Sequence, residues 1–117
     1  MIRHMLMITV AVGAGCAVTP ESLERDGISS VHELKLPQDF AAACVARNLD
    51  MERGLFAPTV RPIAAGTTEI TARVGPDHAP VYVQVTQSGP SSRAKISTSS
   101  RFVQDREAFT RGLVRDC

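Results

Sequence analysis

Three thiols, three imidazoles and several closely spaced carboxylates are the groups in this 117-residue chain with the capacity for chemistry. The imidazoles, His4, His32 and His78, are far apart in sequence, and no Cys-x-x-Cys step occurs. Zinc and haem sites draw on such spacings, so no metal and no other cofactor is expected. Asp77-His78 has the form of half a catalytic pair, but it sits inside Gly75-Pro-Asp-His-Ala-Pro80, a run of turn-forming residues where such a step is ordinarily solvated. Ser88-Gly-Pro-Ser-Ser92 and Ser97-Thr-Ser-Ser100 lack the strand–elbow–helix glycine spacing of a hydrolase nucleophile. No phosphate-cradling glycine loop is present either. Asp50 with Glu52, and Asp105 with Glu107, pair carboxylates at expected helix ends, and nothing brings the two pairs together for acid–base work. No catalytic residue is assigned, and the chain is expected not to be an enzyme.

The third thiol, Cys16, has a different setting. Met1-Ile-Arg-His4 is a short basic segment, Met5 to Val12 an uninterrupted apolar run, and Gly13-Ala14-Gly15 a small-residue stretch that ends at Cys16. This is the order of a secretory signal peptide. The apolar run is far short of the roughly 20 residues that span a bilayer as a helix. Gly13-Ala14-Gly15-Cys16 resembles the lipobox of bacterial lipoproteins, with Gly13 where that family prefers Leu. The resemblance covers the first 16 residues. It implies cleavage before Cys16, lipidation of its thiol with palmitate-type chains, and a membrane partner held through that lipid. Two or three acyl chains, at about 0.8 kcal/mol per buried methylene, give stable attachment where one does not. Ala17, rather than Asp, favours the outer membrane by analogy with lipoprotein sorting in enteric bacteria. The competing expectation is ordinary cleavage, for example after Ala17, which discards Cys16 and frees a soluble periplasmic protein.

Removing the leader leaves about 100 residues, enough for one domain with a thin core. With no Trp, one Tyr and four Phe, that core must rely on Val, Ile, Leu and Ala. The formal charge is +1 for the whole chain and zero without Arg3, and basic and acidic residues are interspersed. Nucleic-acid binding needs a basic stripe and is not expected.

The elements follow from periodicity. Thr19 to about Ser30 is polar and reads as a tether. Val31 to Leu36 alternates as a short edge strand would. Pro37-Gln-Asp39 opens a helix to about Asp50, with Phe40, Cys44 and Arg47 along one row and Ala41, Val45 and Leu49 beside it. Thr59-Val-Arg61 is a weak strand candidate. Thr67–Val74, Val81–Val85 and Arg93–Ser99 alternate, and the turns between them imply an antiparallel meander. A last helix covers about Asp105 to Arg115, with Phe109, Leu113 and Cys117 in register. The expected fold is therefore α+β and two-layered: an antiparallel sheet of three to four strands with an N-terminal and a C-terminal helix on one face. The expected organisation is a signal peptide over 1–15, a lipidated tether over 16–30 and a single domain over 31–117.

Cys44 and Cys117 fall on the apolar sides of those two helices. In an oxidising compartment the pair is expected to form a disulfide. Closing a loop of about 73 residues contributes roughly 4 kcal/mol in the chain-entropy model. The alternative is two unpaired thiols, one buried and one at the terminus.

Arg47, Arg53, Arg61 and Arg73 are placed so that the first helix and the sheet could gather them around a carboxylate or phosphate of an envelope glycan. The plainer expectation pairs them with Asp50, Glu52 and Glu69. Domains with one cysteine in each of two helices resemble small uncharacterised lipoproteins of proteobacteria, an architectural likeness that implies no activity. The expected role is a non-enzymatic accessory or interaction module of the cell envelope. Its partner would be an envelope protein or glycan, and its binding surface the sheet face opposite the helices. Rival expectations are an envelope inhibitor of a lysozyme-type or other enzyme, acting through a loop such as Ser88–Ser92, and a secretion or pilus component.

Overall fold

The computed structural model describes residues 19–52, 58–75, 78–99 and 105–117. The signal-peptide and Cys16 expectations, with His4, Arg53, Asp77 and Ser100, lie outside the described residues. In chain order the elements are α1 (Pro20–Asp26), β1 (Ile28–Leu34), α2 (Gln38–Asp50), β2 (Thr59–Ala64), β3 (Thr67–Ala72), β4 (Val81–Ser88), β5 (Ser91–Thr98) and α3 (Arg106–Leu113). The fold is α+β with a single antiparallel sheet in the order β1-β5-β4-β3-β2. Five strands replace the three or four expected, because both weakly patterned candidates, at 31–36 and 59–61, are edge strands. Edge strands bury little and so carry little alternation. Among the described residues no helix is long and apolar enough to cross a membrane.

Strand alternation gives the sheet two unlike faces. One face, which we call the core face, carries Leu34, Ile70, Ala72, Val81, Val83, Val85, Ala94 and Ile96. Against it pack Ala41, Ala42, Cys44, Val45 and Leu49 of α2, together with Leu113 and Cys117. The buried cluster is aliphatic, with Phe109 only at its margin. The helix expected to present Phe40 inward instead turns it out, 68% exposed, while Cys44 of the same row is buried. The buried stripe of α2 is Ala41, Ala42, Cys44, Val45 and Leu49, which leaves Phe40 and Arg47 on the outer side.

The segment expected as a tether is folded from Thr19 onward. Thr19 caps α1 by accepting from the Ser22 N–H (3.2 Å), and the Ser22 hydroxyl accepts in return from the Thr19 N–H (3.0 Å). This reciprocal box and Pro20 in the first turn start the helix. Leu23 is buried. The α1 helix lies against β4 and β5 and lines a cleft with Thr59, Arg61, Glu69, Thr71 and Tyr82, which alternate with the core-face residues. It therefore covers part of the far face, so helices flank both sides of the sheet: α2 and α3 on the core face, α1 opposite.

Gly27 joins α1 to β1 at a point of close approach. A Cβ there would lie 2.6 Å from the Leu23 carbonyl oxygen and 3.0 Å from that of Thr98. Both obstacles are backbone, so Gly27→Ala is expected to cost about 1–3 kcal/mol by overpacking. Urea unfolding followed by circular dichroism will read that loss, and an unchanged midpoint would show that α1 is not fixed to β5.

At the other end, several bonds hold α3. Cys44 and Cys117 form a disulfide, their Cα atoms 5.7 Å apart. Asn48 Nδ2 donates to the Leu113 and Arg115 carbonyls (2.9 and 3.1 Å), occupying acceptors that a helix C-terminus leaves open. The Cys117 carbonyl accepts from the Lys35 and Leu36 N–H groups (3.0 and 2.9 Å). The Ser92 hydroxyl then donates to the Leu36 carbonyl (2.7 Å). Replacing both cysteines with Ala is expected to remove about 4 kcal/mol and to lower the melting temperature by roughly 15 °C or more. Thiol labelling of the unreduced protein is expected to leave Cys44 and Cys117 unmodified; two reactive thiols would overturn the assignment.

Candidate functional site

The far face is built from side chains that register brings side by side. Arg61 on β2 lies opposite Glu69 on β3, Thr59 opposite Thr71, and Thr71 opposite Tyr82 on β4. These residues, with Arg73 and with Thr19, Pro20, Glu21 and Glu24 of the α1 segment, line a cleft of about 380 Å³. Most of the rim is exposed, and the floor is buried.

Glu69 organises the floor. Its Oε1 pairs with Arg61 Nη2 at 2.5 Å, and its Oε2 accepts from the Tyr82 hydroxyl at 2.7 Å. The Glu69 side chain is 13% exposed and that of Arg61 68%, so the pair is anchored at its acidic end and solvated at its basic end. Burial raises the Tyr82 phenol well above its ordinary pKa of 10.0. The hydrogen bond to Glu69 and the negative charges of Glu69 and Glu24 raise it further, while a hydrogen bond with Gln84 opposes the shift.

The buried hydroxyls of the sheet and helices act as ties. Thr68 bonds the Gln38 side chain (2.7 Å), Ser97 bonds Ser29 (2.9 Å), and Ser92 bonds the Leu36 carbonyl (2.7 Å). Thr98 accepts from Arg106 Nε (3.2 Å), and Thr110 donates to the Glu107 carbonyl (3.2 Å). Thr71, 5% exposed, is the exception: its hydroxyl has no partner among the described residues, and it faces the cleft. Buried polar atoms are nearly always bonded, so an exception in a cleft floor marks a position where something else supplies the bond.

Of the four arginines, Arg53 lies outside the described residues, and the other three are not gathered together. Arg61 and Arg73 share this cleft, and Arg61 is neutralised by Glu69, as the plainer expectation held. Arg47 lies across the molecule on α2, beside Glu52 and Arg115. Asp105 caps α3 by accepting from the Ala108 N–H (3.0 Å), and Glu107 pairs with Arg111 one turn on (2.8 Å). These carboxylates serve the helix end. His32 bonds Ser30 through Nε2 (2.9 Å), and burial lowers its pKa. His78 pairs with Gly75 across the β3–β4 turn. Ser88 and Ser91 are themselves paired strand residues, which leaves Gly89-Pro90 as a tight turn rather than a projecting loop. Gly89 adopts φ +59°, the left-handed conformation that glycine enters without strain.

The α1 wall of the cleft was missed in the sequence, where Thr19–Ser30 read as a tether. The signal available was the Thr19-Pro-Glu-Ser22 capping pattern. No family model, curated protein or solved structure matches the chain.

Tyr82 is the only tyrosine and the chain has no tryptophan, so its ionisation can be read directly. Its proton is held more tightly in the folded state. The associated stability is therefore complete below pH 10.0 and is lost as pH rises from there through the folded pKa. Tyrosinate absorbance is expected to rise only well above pH 10.0, and Glu69→Gln to move that rise part of the way back. A titration centred at the ordinary value in the native protein would refute the floor geometry.

Proposed function

We propose that the protein is a lipoprotein of the bacterial envelope, tethered through Cys16, whose α+β domain is a non-enzymatic interaction module. The observation that carries the reading is the pairing of the cysteines. Cys44 and Cys117 form a disulfide, a bond that persists in oxidising compartments outside the cytosol. That leaves one odd cysteine, and it is the one that follows Gly13-Ala14-Gly15 behind a basic and then apolar N-terminus. An exported domain with two cysteines paired internally and a third at a lipobox-like step fits an acylated anchor. Ala17 favours the outer membrane, with the domain in the periplasm.

The cleft chemistry supports recognition over turnover. Both oxygens of Glu69 are engaged, and the Tyr82 proton is held in a hydrogen bond and tightened further by burial. General acid–base work needs a group poised near the operating pH. The inhibitor reading calls for a loop that enters an enzyme cleft, and the tight Gly89-Pro90 turn does not favour it.

Cells expressing the full chain and fed labelled palmitate are expected to yield a labelled protein that sediments with membranes. Cys16→Ser is expected to abolish the label and to release or retain an uncleaved form. Equal labelling, mass and sedimentation of the two proteins would sink the proposal.

A further inference from the structure

We infer that the cleft between α1 and the far face of the sheet binds a zwitterion, an amino acid or short peptide, with its carboxylate on Arg73 and its ammonium between Glu21 and Glu24. The inference rests on the reading of the far face as the interaction surface and gives that surface a ligand class.

The argument is one of charge left over. Among the described residues, five charged side chains line the cleft: Arg61, Arg73, Glu21, Glu24 and Glu69. Arg61 and Glu69 neutralise one another. Arg73, Glu21 and Glu24 have no ion-pair partner among the described residues. The remaining positive charge thus belongs to the sheet and the remaining negative charge to the helix, on different walls of one cleft. A simple anion that reaches Arg73 also meets the carboxylates of α1, and a simple cation that reaches Glu21 and Glu24 meets the guanidinium. A molecule carrying both charges satisfies both walls. The floor adds a neutral polar contact, because Thr71 is buried, has no hydrogen-bond partner among the described residues and lines the same space. The adjacent Tyr82 hydroxyl is fixed by Glu69 and Gln84 and shapes the floor beside Thr71. The volume of about 380 Å³ is that of a small-molecule site.

In an envelope two sources offer this chemistry. Free amino acids and peptides are one; the other is the cell-wall stem peptide, whose diamino acid keeps a free ammonium and a free carboxylate when it is not cross-linked. The shared feature is the paired charge.

The test uses the full chain in detergent, with Tyr82 emission as the reporter, since no other tyrosine or tryptophan interferes. The probes are alanyl-alanine, its N-acetyl form, its C-terminal amide, and a stem tripeptide ending in diaminopimelate. Alanyl-alanine, the tripeptide, or both are expected to give a saturable change. Either blocked dipeptide is expected to bind at least about ten-fold more weakly than the free one. Arg73→Gln, and Glu21→Gln with Glu24→Gln, are each expected to cost a similar factor while circular dichroism stays unchanged. Arg47→Gln, across the molecule, is expected to bind like the native protein. Preference for the tripeptide assigns the site to the wall, and preference for the dipeptide to free peptides.

No saturable response to any probe up to millimolar concentration overturns the inference. So does binding that is indifferent to blocked termini or to Arg73→Gln. A protein that takes up palmitate and ignores the zwitterions refutes the cleft alone, and one that binds them without palmitate refutes the anchor alone.

Discussion

The constraint on which the rest of the structure depends is the covalent closure of the last residue onto the first long helix. The α3 helix has eight residues, too few to hold a helical form by itself. It buries Thr110 and Leu113 and little else. What holds it is the Cys44–Cys117 bond, reinforced by Asn48 on its terminal carbonyls and by the Lys35 and Leu36 N–H groups on Cys117. Those bonds do more than fasten a helix. Through Leu36 and Ser92 they connect α2, the end of β1 and the start of β5. An aliphatic core with no buried Phe among the described residues has little surplus to spend, and a cross-link over 73 residues narrows the unfolded ensemble to which it must be compared.

With the core face closed in that way, the far face can be polar. Opposite Val83 and Ile96 the sheet presents Tyr82, Gln84, Lys95 and Ser97. Among the described residues only one short helix lies over it, so polar groups there remain within reach of solvent or ligand while their backbone is fixed by strands on both sides. Rigidity without enclosure is what a binding floor requires, because the groups are positioned before the ligand arrives. The two edges of the sheet also differ. On β2, Pro62 removes a backbone donor and the register shifts between Pro62 and Ala64, which blunts pairing with another chain. Nothing comparable interrupts β1, whose register against β5 is continuous from Ile28 to Leu34.

Much of the fold was legible because burial imposes a period. The α2 and α3 helices and strands β3, β4 and β5 lie close to their expected spans, since each sets apolar side chains against the core at helical or alternating spacing. The disulfide was legible for the same reason, Cys44 falling on the apolar face of α2 and Cys117 continuing the apolar row of Phe109 and Leu113 beyond the end of α3. Three features were not. The α1 helix buries one leucine, so it has no period to detect, and its capping box uses Ser22 where Glu or Gln is the familiar partner. The β1 strand pairs with β5 across more than half the chain, a contact that no local pattern encodes. Phe40 breaks the rule that a large aromatic on an amphipathic helix faces inward.

The cleft was hidden by a single residue of register. A regular hairpin closed by Ala65-Gly66 sets Pro62 against Glu69. The irregularity between Pro62 and Ala64 moves Arg61 into that place instead. In a strand, a shift of one residue exchanges the two faces. Without it Arg61 points toward the aliphatic core side, and Glu69 is left on the far face with the Tyr82 proton and no cation. With it, the carboxylate is neutralised at the rim and the phenol is held at the floor. The Arg61–Glu69–Tyr82 arrangement therefore follows from a backbone irregularity two strands away from the tyrosine, which is why neither residue composition nor spacing announced it.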